Sequence, residues 1–191
     1  LVEKRSGNEL VFFRFENPTP GIWSIIVYPS EQEGIRGSGR FHIWLPITSF
    51  IDGGVTFLEP NPEVTLTEPS NAEQVITMST YNGKTGSWFP ESGRGFMSNG
   101  MVKPDLAAPG VQVSTVLGPC TGSSMAAAIA AGCVAQFMEW AIVDGYAPFG
   151  ESNATKSYLI RGAVRENNIS YPDTRWGYGT LNITGTFDAL S

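Results

Sequence analysis

The chain has 191 residues, of which 41% are hydrophobic and 16% are charged, so it can bury a core and wholesale disorder is not expected. Its formal net charge of −6 at pH 7 argues against a nucleic-acid binder held by a basic surface. No apolar run approaches the roughly 18 residues of a membrane helix, so no membrane contact is expected. Cys120 and Cys133 are predicted to be free thiols, and no metal or cofactor is expected.

Residues 1–68 have the pattern of short β-strands separated by turns rich in proline and glycine. The predicted strands are residues 10–15, 22–28, 39–46, 55–58 and 64–67, with a glycine turn at residues 34–39. Several strands at such short spacing are typical of an antiparallel sandwich or jelly roll. We therefore predict that residues 1–68 form part of a jelly-roll-like β module.

Residues 69–191 have a different pattern, in which strands precede helices. The predicted elements are a strand at 74–79, a loop at 97–109, a strand at 111–116, helices at 124–143 and 153–164, and a glycine-marked loop with a short terminal element at 176–190. A strand followed by a tightly packed helix is typical of an α/β fold. The small side chains of the first helix would let it approach its neighbours closely.

A turn of small residues, Gly122-Ser123, leads into the predicted helix at Ser124. This position suits a nucleophile, because the N–H groups at a helix N-terminus can stabilise an oxyanion on a carbonyl attacked by the serine. The alternative is that Ser123 or Ser124 only caps the helix, since serine is a preferred N-cap. The turn alone does not decide between the two.

Other segments accompany this turn in a fixed order. They are PSNAEQVITM at 69–78, SGRG at 92–95, KPDLAAPGV at 103–111, GSSMA at 122–126 and GYGTLN at 177–182. Together they resemble the subtilisin-like serine peptidase family. The resemblance implies a parallel-sheet α/β peptidase domain, of which residues 69–191 would be the C-terminal half, with Ser124 as the catalytic nucleophile. It is closest to clostridial subtilases of the spore-germination type, which carry an inserted jelly-roll module.

The resemblance also implies an aspartate and a histidine upstream of the serine. Asp52 and Asp105 lack the D-[ST]-G context, and His42 is not followed by Gly-Thr, so His42 is expected to be an ordinary strand residue. Asn71 and Asn99 do not match the family's oxyanion asparagine. The expectation is therefore the C-terminal portion of a longer serine endopeptidase, inactive alone.

The partners implied by the resemblance are a peptide or protein substrate and the N-terminal part of the same peptidase. It also implies a secreted or spore-associated bacterial protein. Two other functions stay open. One is a regulatory pseudopeptidase with the fold but no activity, and the other is a binding module in which Phe12, Trp23 and Trp44 form a sugar- or peptide-binding face.

Overall fold

The computed structural model describes residues 10–28, 41–51, 53–146 and 152–190. The chain divides into two compact units, Leu1–Pro60 and Asn61–Ser191. Residues 61–68 belong to the second unit because they bind its loop 92–95: Thr65 N donates to Arg94 O at 2.9 Å, and Arg94 N donates to Thr65 Oγ1 at 3.0 Å. The domain boundary predicted at residue 68 stays a prediction.

The first unit has a 3-10 helix, Thr48–Phe50, and no strand among its described residues. The strands predicted at 10–15, 22–28 and 55–58, and the described part of that at 39–46, are not formed; the turn at 34–39 lies outside the described residues. A strand gains stability from a paired backbone and one covered face. Here large apolar side chains are exposed, Phe12 by 81% and Ile22 by 80%. The jelly-roll module stays a prediction that the structure does not support.

The second unit is built on a parallel pair of strands, β1 (Met78–Tyr81) and β2 (Leu106–Pro109). Their register pairs Met78 with Leu106 and Tyr81 with Pro109. A short antiparallel hairpin follows, with β3 at Val113–Thr115 and β4 at Gly118–Cys120. The predicted strands at 74–79 and 111–116 are therefore present, although both are shifted or shortened.

Two predictions fail in this unit. Residues 64–67 are not a strand, and the segment 97–109, predicted as a loop, contains β2. The sequence of β2, Leu-Ala-Ala-Pro, has little β propensity. Its first three residues are wholly buried, so pairing with β1 and packing on both faces define the strand rather than local preference.

The observed helices match the sequence-based predictions more closely than the strands do. Helix α1 is Ser123–Met138 and continues as a π-helical turn, Glu139–Val143, so the predicted helix at 124–143 is confirmed. Helix α2 is Ser152–Arg161 and ends just before Gly162. The terminal element is helix α3, Ile183–Asp188, which Asn182 caps by accepting a hydrogen bond from Gly185 N.

The core lies between the parallel strands and the helices. Leu106, Leu159 and Ala163 form its buried centre, surrounded by partly buried side chains of Ile76, Met78, Val134, Ile160, Tyr178, Leu181 and Ile183. Helix α1 packs on both β1 and β2, and α2 packs on α3. The predicted α/β fold with parallel strands is confirmed.

By length and composition alone, the 21 residues Ser123–Val143 could cross a membrane, with a mean hydropathy of 1.6. The expectation that no segment would reach this threshold is wrong, because many alanines raise the hydropathy without large side chains. The core helix of a folded domain can pass the same test. In this segment 22% of the most apolar 18-residue window is buried, and the buried residues of α1 are Ala126, Ala130 and Phe137.

Gly162 allows α2 to end against α3, because a Cβ there would lie 2.2 Å from Thr186 N. We expect Gly162→Ala to lower the free energy of unfolding by about 1–3 kcal/mol through overpacking. Gly132, in α1, is the matched control, since a Cβ there meets nothing within 4 Å. Gly132→Ala should raise stability by about 0.5–1 kcal/mol. Urea unfolding of both variants measures this, and equal effects would contradict the steric argument.

Candidate active site

The turn that precedes α1 is fixed to the ends of both parallel strands. Gly110, which follows β2, donates its N–H to Tyr81 O at 2.9 Å and accepts the N–H of Gly122 at 2.8 Å. Gly122 in turn accepts the N–H of Met125 at 3.0 Å. Three backbone hydrogen bonds therefore connect β1, β2 and the first turn of α1, and they set where Ser124 lies.

Ser124 is the second residue of α1 and is exposed. The N-cap of the helix is Gly122, and no side-chain hydrogen bond caps this end. The structure thus does not show Ser123 or Ser124 as the cap, which was the alternative to a chemical role. The first N–H groups of a helix have no intrahelical partner and carry a partial positive charge. A hydroxyl placed here lies beside donors that suit a developing oxyanion.

Gly110 permits this arrangement because it has no side chain. A Cβ at Gly110 would lie 2.5 Å from Thr80 Cγ2, 2.8 Å from Gly122 O and 3.3 Å from Ala126 N. Thr80 is wholly buried in β1, so it has little room to move. The distance between the strand ends and α1 is therefore as short as the backbone allows.

A buried ion cluster lies at the other end of β2. Asp105 Oδ2 binds Lys103 Nζ at 2.8 Å and accepts Thr77 N–H at 2.7 Å, while Asp105 Oδ1 binds Lys156 Nζ at 3.3 Å. The side chains of Lys103 and Asp105 are only 1% and 4% exposed. Burial lowers the pKa of Lys103, and the contact with Asp105 opposes that shift. The cluster joins the loop before β1, the start of β2 and helix α2.

The other residues considered from the sequence include a histidine, an asparagine and two cysteines. His42 belongs to the first unit, is exposed and stacks on Trp44 with ring centroids 5.4 Å apart. Asn99 Oδ1 accepts the N–H of Met101 within its own loop. Cys120 and Cys133 are free thiols, and burial raises the pKa of Cys133. In the described ranges, no group of three or more histidine, cysteine, aspartate or glutamate side chains could hold a metal ion.

A family model described as Peptidase_S8, the subtilase family, matches residues 52–179, more than half of the chain. The chain belongs to the subtilase family. The resemblance of its motifs to this family is confirmed, and the spore-germination subgroup stays a prediction. No curated protein matches the chain.

Solved structures of subtilase-like proteases share the fold. The CspB protease of Clostridium perfringens is 36% identical with a TM-score of 0.66, and the match covers 70% of this chain and 30% of that one. The prenylagaramide maturation protease PagA is 23% identical with a TM-score of 0.55, covering 68% and 47%. The patellamide maturation protease PatA is 20% identical with a TM-score of 0.54, covering 68% and 48%. The chain thus spans less than half the length of each of these three structures.

The sequence predicted the turn at Ser124 but not the residues that hold the strands around it. The role of Gly110 could have been suspected from the glycine that follows Ala108-Pro109, although its distance to Gly122 could not. Lys156 gave no signal, since nothing within α2 indicates a partner 51 positions earlier in the chain. The buried pair of Lys103 and Asp105 was also missed, although two opposite charges in a largely apolar segment are a signal that could have found it.

Replacing Asp105 tests the ion cluster. Asp105→Asn leaves the ammonium groups of Lys103 and Lys156 without their counter-charge, so we expect the free energy of unfolding to fall by about 3–5 kcal/mol. The exposed Glu91→Gln is the control that removes one carboxylate charge elsewhere, with an expected change within about 0.5 kcal/mol. Chemical denaturation measures both. A similar loss of unfolding free energy in the two variants would contradict a stabilising role of the ion cluster.

Replacing Gly110 tests how the turn is held. A methyl group in Gly110→Ala pushes on Gly122 O and Thr80, so the hydrogen bond from Gly122 N to Gly110 O should lengthen or break. We expect amide hydrogen exchange at Gly122 to become at least about tenfold faster, as for a site that opens locally. Gly132→Ala should leave that rate unchanged. An unchanged rate in Gly110→Ala would show that the turn does not depend on this contact.

Proposed function

We propose that this chain carries the nucleophile of a serine-type peptidase, and that the nucleophile is Ser124. The observation that supports it is the position of Ser124, exposed at the second residue of α1 in a turn fixed by Gly110 and Gly122. Membership of the subtilase family supports the reaction class. The substrate class is a peptide or protein.

In this proposal, Ser124 Oγ attacks the carbonyl carbon of a peptide bond while a histidine takes the hydroxyl proton. The backbone N–H of Ser124 and a second donor hold the oxyanion. Collapse of the tetrahedral intermediate breaks the C–N bond, and the imidazolium returns the proton to the leaving amine. Water then hydrolyses the ester on Ser124 by the same route in reverse.

The base is proposed to come from outside these 191 residues. The one histidine of the chain, His42, stacks on Trp44 in the first unit. A serine hydroxyl without an adjacent base stays protonated and is a weak nucleophile. We therefore propose that the rest of the parent protein supplies the histidine and the aspartate that orients it, and that the 191-residue chain alone has no meaningful peptidase activity.

A fluorophosphonate probe, which labels activated serines, tests this proposal. The 191-residue chain alone should label no faster than its Ser124→Ala variant. The full-length parent should label at Ser124, lose that label in Ser124→Ala, and keep it in Ser123→Ala, the matched control one residue away. Intact-protein and peptide mass spectrometry locate the label.

Three other labelling results would each contradict part of this proposal. Labelling of Ser124 in the chain alone at a rate typical of serine peptidases would contradict the missing base. A folded parent that is never labelled would contradict the peptidase and favour a regulatory pseudopeptidase. Labelling that survives Ser124→Ala would assign the nucleophile to another residue.

A further inference from the structure

A cavity of about 590 Å³ lies beside α2, on the side of β2 away from Ser124's turn. Its lining includes the cations Lys103, Lys156 and Arg161 and the acids Glu73 and Asp105. This volume is within the roughly 300–1,000 Å³ of ordinary small-molecule sites. The peptidase proposal makes no use of the cavity.

The buried part of this wall carries an unbalanced charge. Two ammonium groups, on Lys103 and Lys156, face the single carboxylate of Asp105. Arg161 and Glu73, both exposed, add one charge of each sign, so the lining has a net charge of +1 in a chain whose net charge is −6. Burying an uncompensated charge is costly, and one anion in the cavity would offset it.

The hydrogen-bond donors of the two lysines also favour an anionic ligand. Asp105 already accepts from three donors, and so offers little to a further cation. In the described part of the chain, Lys103 contacts Val75 O and Asp105, and Lys156 contacts Asp105 and Glu73 O, the last at 2.8 Å. An ammonium has three N–H donors, so each lysine can give one more. Lys156, 14% exposed, is the more accessible of the two.

Most of the remaining lining is apolar, although Ser157 and the hydroxyl of Tyr178 add polar groups. Met101, Val102, Ile160 and Tyr178 also face the cavity. A ligand that uses the whole cavity therefore combines a negative group with an apolar one. One net positive charge matches a single negative charge better than a phosphate dianion.

We propose that this cavity binds a small organic monocarboxylate, with its carboxylate at Lys156 and Arg161 and its apolar group against Ile160 and Tyr178. Lys103 lies behind Lys156 and contributes its charge. Arginine and lysine donors to a carboxylate make charge-assisted hydrogen bonds, which are stronger than neutral ones. The proposal is independent of the chemistry at Ser124.

The test compares an apolar carboxylic acid with its neutral amide and with an inorganic anion. N-acetyl-L-leucine, a monocarboxylate with an apolar side chain, is titrated into the full 191-residue chain by calorimetry, alongside its neutral amide and inorganic phosphate. We expect the acid to bind at least about tenfold more tightly than the amide, the effect of one charge-assisted hydrogen bond. Phosphate should bind more weakly than the acid, and added salt should weaken binding of the acid.

Variants locate the site. Lys156→Met, which keeps an aliphatic stem, and Arg161→Gln should each weaken binding of the acid by about tenfold. Arg161→Gln leaves the buried cluster intact, so it remains informative if Lys156→Met fails to fold. Lys84→Gln, on an exposed loop, is the control and should change the dissociation constant less than twofold. Absence of binding, equal binding of acid and amide, tighter binding of phosphate, or binding unaffected by Arg161→Gln would each overturn the proposal.

Discussion

The carboxylate of Asp105 is the point on which the second unit depends. It lies at the start of β2 and binds a lysine on each side while accepting the N–H of Thr77 just before β1. The same residue also bonds through its backbone, donating to Thr77 O and accepting from Tyr178 N. One buried residue thus aligns the two parallel strands, the adjoining helix α2 and the loop around Tyr178. Such a cluster stabilises one arrangement because its parts are costly to bury separately.

At the other end of the two parallel strands, backbone hydrogen bonds rather than ion pairs hold the neighbouring segments. Gly110 is hydrogen-bonded to Tyr81 and to Gly122, so the position of the two strands determines the position of the first turn of α1. Since β2 is four residues long, the ion cluster and the glycine contacts act on opposite ends of one short rigid element. The position of Ser124 is therefore determined by the sheet rather than by its own loop.

The sequence predicted those parts of the structure that depend on neighbouring residues. Helical spacing located α1, and the small residues at 119–126 indicated the turn at Ser124, because both signals are local. β2 was missed because its residues favour a strand only when they are buried and paired with β1. The strands predicted at 10–15, 22–28 and 55–58, and the described part of that at 39–46, failed for the converse reason: their residues fit a covered sheet, yet their large apolar side chains are exposed. Lys156 was beyond prediction because its partner is distant in sequence.

The distances along the chain between these contacts affect how the protein is made. Asp105 and Thr77 are 28 residues apart, and Lys156 reaches back 83 residues to the carbonyl of Glu73. Closing such loops costs entropy before the contacts compensate for it, so we expect contacts of this span to form late in folding. During synthesis from the N-terminus, the turn at Ser124 emerges from the ribosome before Lys156 does. The ion cluster at the start of β2 can therefore be completed only when α2 has also been made.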